Sequence, residues 1–201
     1  MKNRLYYAVV ALVAAVALQS CHKVEEESVI TGMWEYTSYS FSLQDKNGKE
    51  VVDIRQFFIE RSKDVYGSFM TDDQIANLVD EYIKNLNSVP IAGYSRIQFK
   101  ADGTVTGYAK NEKGDWEVGE RSGTYKREGS KLTLSFNDAG MSFDGVYVIL
   151  KLTATGLVLQ VKNDYKEAFE AGRITMEQYQ SYSMWYGDNI FIDTYTLKKI
   201  K

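Results

Sequence analysis

From residue 30 onward, apolar and polar positions alternate with a period of two, broken at short intervals by glycine-marked turns. That pattern predicts strands joined by hairpins, each strand with one buried face and one wet face. The first strand is expected over 32–43 and ends at Asp45-Lys46-Asn47-Gly48, where Asn-Gly suits a tight turn. Ile97 and Phe99 alternate before Ala101-Asp102-Gly103, and Val105 follows it. Tyr125 precedes Arg127-Glu128-Gly129-Ser130, after which Leu132, Leu134 and Phe136 alternate. Val146, Val148, Leu150 and Leu152 form one apolar series, with Tyr147 and Ile149 filling the opposite face. Thr153-Ala154-Thr155-Gly156 then turns the chain into Leu157, Leu159 and Val161, and a final strand is expected over 190–199. About eight such strands in simple hairpin order predict a mainly β fold, an up-and-down antiparallel β-barrel.

Two stretches leave this rhythm. Thr71-Asp72-Asp73-Gln74 fits a capping box, and Ile75, Leu78, Val79, Tyr82, Ile83 and Leu86 trace one helical face. A helix is therefore expected over 72–87, ending before Pro90. A second helical insertion is expected over 164–187, where Thr175-Met176-Glu177-Gln178 forms another capping box. Tyr179, Tyr182 and Tyr186 share a face of it. Packing on the sheet is the ordinary use of such a stripe, and an exposed surface for a glycan or protein partner is the rival. Val51 to Ile59 fits a strand or a short helix equally well.

Residues 1–20 differ in kind. Lys2 and Arg4 precede an unbroken apolar and aromatic run from Leu5 to Leu18, followed by Gln19-Ser20-Cys21. The run is shorter than the roughly 20 residues a spanning helix needs. It resembles a bacterial lipoprotein signal, which implies cleavage before Cys21 and a lipid on that cysteine, the only one in the chain. Residues 21–29 then form an acidic tether, with Glu25-Glu26-Glu27 at its centre, and 30–201 form the folded domain. The residue after Cys21 is His22 and not Asp, which resembles lipoproteins sent to the outer membrane. The acidic run resembles a signal for display on that membrane's outer face. Both faces stay open.

Several strand segments carry a further resemblance. Gly32-Met33-Trp34 looks like the Gly-x-Trp opening of lipocalins. Phe99-Lys100-Ala101-Asp102-Gly103-Thr104-Val105, Gly123-Thr124-Tyr125-Lys126, Lys131-Leu132-Thr133-Leu134 and Tyr195-Thr196-Leu197-Lys198-Lys199 look like the hairpins and closing strand of lipocalin-like bacterial lipoproteins. The resemblance covers roughly 30–43 and 95–200. It implies a lipocalin-like barrel whose narrow end is closed by Gly32, Trp34 and a late cation, Lys198 being the candidate beside Lys199. The two helical insertions are larger than the common pattern.

Charge and composition narrow the function classes. The chain carries a net −3, and loss of Lys2 and Arg4 with the leader takes the domain to about −5. No basic patch suits nucleic acid. The single histidine, His22, lies in the tether, which argues against Ser-His-Asp or Cys-His catalysis and against zinc on His or Cys ligands. Asn137-Asp138-Ala139-Gly140 with Asp144-Gly145 does not match a calcium loop. Asp72 and Asp73 suit a helix N-terminus, and Glu112, Asp115, Glu117 and Glu120 surround a turn. No enzyme and no cofactor are expected.

Binding chemistry remains. A barrel interior of aromatic and small polar residues can hold one small apolar or amphipathic molecule. If Trp34 points inward, so do Tyr36 and Ser38. Phe99, Tyr125 and Leu134 share the inner face of neighbouring strands. These five residues, Tyr36, Ser38, Phe99, Tyr125 and Leu134, are the candidate ligand contacts. A filled barrel that docks an envelope protein or glycan through its helical insertions satisfies the same pattern. Cys21→Ala is expected to leave the chain unacylated and release it from the membrane fraction. A variant that still partitions with lipoproteins would overturn the reading of the leader.

Overall fold

The computed structural model describes residues 30–86, 95–137 and 143–200. The leader, Cys21, the tether and Pro90 lie outside the described residues, as does most of the 137–144 loop. The described chain forms a closed antiparallel barrel with its strands in sequence order: β1 (Gly32–Gln44), β2 (Arg96–Phe99), β3 (Thr104–Lys110), β4 (Trp116–Glu128), β5 (Lys131–Asn137), β6 (Phe143–Leu152), β7 (Gly156–Asn163) and β8 (Ile190–Ile200). β1 pairs with β8 along most of its length and with β2 only from Gly32 to Glu35. Four helices interrupt this order: α1 (Ile54–Tyr66) and α2 (Asp72–Leu86) between β1 and β2, α3 (Tyr165–Glu170) and α4 (Met176–Tyr186) between β7 and β8. Both insertions leave from the same end of the barrel, called the upper end here. The segment from Val51 to Ile59, ambiguous by pattern, enters helix α1 after Asp53, whose carboxylate accepts the Gln56 N–H at 2.8 Å.

The lower end is built around Trp34. Its ring is fully buried, and its Nε1 donates to the Ile30 carbonyl at 2.7 Å. The cation over that ring is Lys199, with Nζ 5.2 Å from the ring centroid. Lys198, the cation favoured by sequence, is exposed on the outer face. Strand alternation explains the correction, because Leu197 points inward and Lys198 therefore points out, while Lys199 crosses the barrel end at Gly32. Gly32 has φ +124°, and a Cβ there would sit 2.7 Å from Lys199 Cε. The backbone conformation favours glycine, and a Cβ there would also displace the flexible end of Lys199 from over the ring. Above this plug, Ile97, Phe99, Leu132, Leu134, Leu157 and Leu159 fill the lower barrel with essentially no exposure.

Irregular residues set which faces point inward. In β1 the register against β8 slips between Tyr36 and Ser38, leaving Thr37 as an extra residue. A bulge of this kind reverses the alternation beyond it. Trp34 and Tyr36 face the interior below the bulge, and Tyr39, Phe41 and Leu43 pack into the cores above it. Ser38 and Ser40 are exposed. β6 also departs from its sequence pattern. Val146, Val148 and Leu150 are outward and 50%, 42% and 53% exposed. Tyr147 and Ile149 pack against the interior instead, and a slip between Ile149 and Lys151 brings Leu152 back inward.

The helices form a second core over the upper end. Leu43 and Phe191 from the barrel meet Phe58 of α1, Ile75 and Val79 of α2, and Tyr186 of α4. Reciprocal caps start two of these helices. Thr71 and Gln74 exchange side-chain and backbone bonds at α2, and Thr175 and Gln178 do so at α4. Removing a buried tryptophan typically costs about 3–5 kcal/mol. Trp34→Ala is therefore expected to lower the unfolding free energy by about that amount, read as a lower urea midpoint. An unchanged midpoint would remove Trp34 from the core.

Candidate functional site

The barrel interior divides into two layers. The lower layer is built on fully buried residues, with Tyr125 and Leu152 partly buried at its edge. Above it, the inward side chains Tyr36, Tyr39, Tyr147, Ile149 and Val161 pack against the core yet remain half-buried. These part-exposed side chains stand above Leu159, which is fully buried and pairs with Ile149 and Tyr195.

Asp193 stands in this layer. It lies on β8 between Phe191 and Tyr195 in the inward register, opposite Val161 of β7 and Phe41 of β1. Only 8% of it is exposed. The Tyr39 hydroxyl donates to one carboxylate oxygen, and Asn163 Nδ2 donates to the other at 2.7 Å. Burial pushes the Asp193 carboxyl above the usual carboxylate range, and its two donors pull the other way. No lysine or arginine pairs with it among the described residues.

Tyrosines surround this carboxylate. Tyr39 and Tyr195 rings lie 5.2 Å apart, and Tyr147 lies 6.3 Å from Tyr195. Burial raises all three hydroxyl pKa values, and the Asp193 charge adds to each; Tyr147 is pushed up to about 12. The rings are therefore neutral at physiological pH. Gly145 makes room for one of them, since a Cβ there would come within 2.6 Å of the Tyr147 ring. Over the top, Tyr165 stacks on Tyr182 at 4.0 Å and on Tyr186 at 5.5 Å. The Tyr186 hydroxyl shares a hydrogen bond with Tyr82, and Tyr82 stacks on Trp185 at 4.4 Å. Tyr179 stacks on Phe169. The aromatic stripe of the second insertion is therefore used in packing.

The structure separates the five contacts expected from sequence. Tyr36 lies in the part-exposed layer. Phe99 and Leu134 are sealed in the lower core. Tyr125 packs edge-on to Phe99 at 5.0 Å and donates to the Lys100 carbonyl at 2.8 Å, closing the lower end. Ser38 faces out, because the Thr37 bulge intervenes. Sequence reasoning missed Tyr39, Asn163, Tyr147, Asp193 and Tyr195. One signal was available: Phe191, Asp193, Tyr195 and Leu197 share a strand face, so an acid stands in an otherwise apolar register.

This arrangement can accept hydrogen bonds, present aromatic faces and bury an apolar body. Asp193 is the only carboxylate buried among the described residues, so the paired acids of a glycosidase do not form there. Glu112, Asp115 and Glu117 are exposed around the β3–β4 turn. No three potential metal ligands gather among the described residues.

A family model described as a lipocalin-like domain matches residues 30–159. The matched stretch runs from β1 into β7, so Asn163 and Asp193 lie beyond it. Comparison with curated proteins and with solved structures finds no match.

The raised pKa of Asp193 has a sign in stability. Between the unfolded and the folded pKa the native state holds the extra proton, so stability falls as pH rises through that window. Asp193→Asn removes this term and, after a flip of the Asn163 amide, keeps both hydrogen bonds. The melting temperature of the variant minus that of the parent is expected to increase from about pH 4 toward neutrality. A difference independent of pH would show that the carboxyl titrates normally.

Proposed function

The chain belongs to the lipocalin-like domain family, and on that premise we propose that it binds a small apolar or amphipathic molecule in the upper barrel, without catalysing its conversion. The observation that supports this reading most is the layering of the interior. A sealed lower core carries a layer of inward side chains that remain open to solvent. Ligand pockets combine an apolar lining with a few placed polar groups. Ile149, Val161 and the tyrosines supply the first, and Asp193 and Asn163 the second.

Anchoring belongs to the same proposal. A lipid on Cys21 tethers the domain to the outer membrane through residues 21–29, and the acidic run holds it clear of the headgroups. No helix among the described residues is long and apolar enough to cross a membrane. The alternative, docking an envelope protein or glycan through the helical insertions, draws on the Tyr179–Tyr186 stripe. Those rings pack on Phe169, Tyr165 and Phe191, and the ligand reading is preferred for that reason.

Native mass spectrometry of residues 28–201, expressed in a bacterial envelope and purified without detergent, tests the proposal. We expect an adduct in the small-molecule range that leaves on denaturation. A clean apo mass that persists after incubation with envelope extract would favour the filled, docking barrel.

A further inference from the structure

An apolar ligand alone leaves Asp193 without a purpose. A carboxylate taken out of water is costly unless it is paired. Here its partners are two neutral donors, Tyr39 and Asn163, one on each oxygen. A carboxylate offers about four acceptor sites, so roughly half remain unused. The surrounding residues are aromatic: the Tyr195 ring lies 5.2 Å from Tyr39 and 6.3 Å from Tyr147. Neutral tyrosine rings present negative faces that attract cations. Negative charge and aromatic faces thus coincide at one level of the barrel, directly above an apolar floor. From this we infer that the upper barrel takes a small organic ammonium ion with an apolar or aromatic body, its nitrogen against Asp193 and its body on Leu159, Ile149 and Val161.

This rests on the ligand-binding reading above and narrows its ligand class. The same geometry works against the common alternative. A carboxylate or phosphate ligand would bring a second negative charge beside Asp193, which has no cation against it among the described residues. A neutral ligand would use the floor but leave the Asp193 charge uncompensated. An ammonium ion supplies both the missing counter-charge and further donors, and charge-assisted hydrogen bonds of this kind are about twice as strong as neutral ones.

The test compares ligands that share a skeleton and differ in charge. Tryptamine, tryptophol and indole-3-acetate form one series; phenethylamine, 2-phenylethanol and phenylacetate form the other. Binding to the full chain in lipid nanodiscs is measured by calorimetry, with empty discs subtracted. We expect each amine to bind at least about tenfold more tightly than its alcohol and each carboxylate to bind worst. Asp193→Asn is expected to bring the amine down to the affinity of the alcohol, with circular dichroism checking the fold. The parent series decides the question even if the variant fails to fold. Alcohols or carboxylates that bind as well as the amines would overturn the cation assignment and leave ligand binding standing. No binding by any of the six would overturn the ligand-binding reading, and the cation assignment with it.

Discussion

One extra residue in β1 determines what the barrel encloses. Thr37 has no partner in the β1–β8 ladder, and its hydroxyl donates to the Thr196 carbonyl at 2.9 Å. Below it, the inward phase is Trp34 and Tyr36. Above it, the inward phase becomes Tyr39, Phe41 and Leu43. With an unbroken period of two, Ser38, Ser40 and Ser42 would face the interior and the large aromatics would face water. The helical cap could then not seat on Phe41 and Leu43, and Tyr39 could not reach Asp193. The bulge therefore links the lower plug, the Asp193 layer and the cap in one strand.

The two ends of the barrel answer different physical demands. The lower end is a conventional core, closed by Trp34, the Lys199 ammonium and the Tyr125 hydroxyl. The upper end keeps a buried acid among neutral rings, an arrangement that costs stability once the acid is charged. Proteins tolerate such local penalties chiefly where a site requires them. The helical insertions contribute here by placing stacked tyrosines over the upper end of the barrel.

Much of this was legible in the pattern of residues, and the failures have identifiable causes. Hairpin turns and alternation revealed the strands, because those signals are local. The capping boxes at Thr71 and Thr175 located two helices for the same reason. Ser38 was misplaced because a bulge leaves no mark in composition and yet reverses every later side chain. The inward face of β6 stayed undecided because both of its faces are apolar, so alternation could not choose between Val146 and Tyr147. Lys198 was preferred to Lys199, although inward Leu197 fixes the alternation in favour of the latter. Asp193 was overlooked as one acid in a strand; its meaning comes from Tyr39 and Asn163, which lie far away in sequence. Long-range pairs of this kind become visible only once the barrel is closed.

The central claim is that the upper barrel is a solvent-reachable chamber organised by Asp193. A crystal structure at a resolution that reveals ordered solvent tests it most directly. The account expects density for water or a captured molecule in contact with the Asp193 carboxylate, between Tyr39, Tyr147 and Tyr195. An interior filled to the cap by side chains, with Asp193 turned outward or paired to a lysine or arginine, would contradict it.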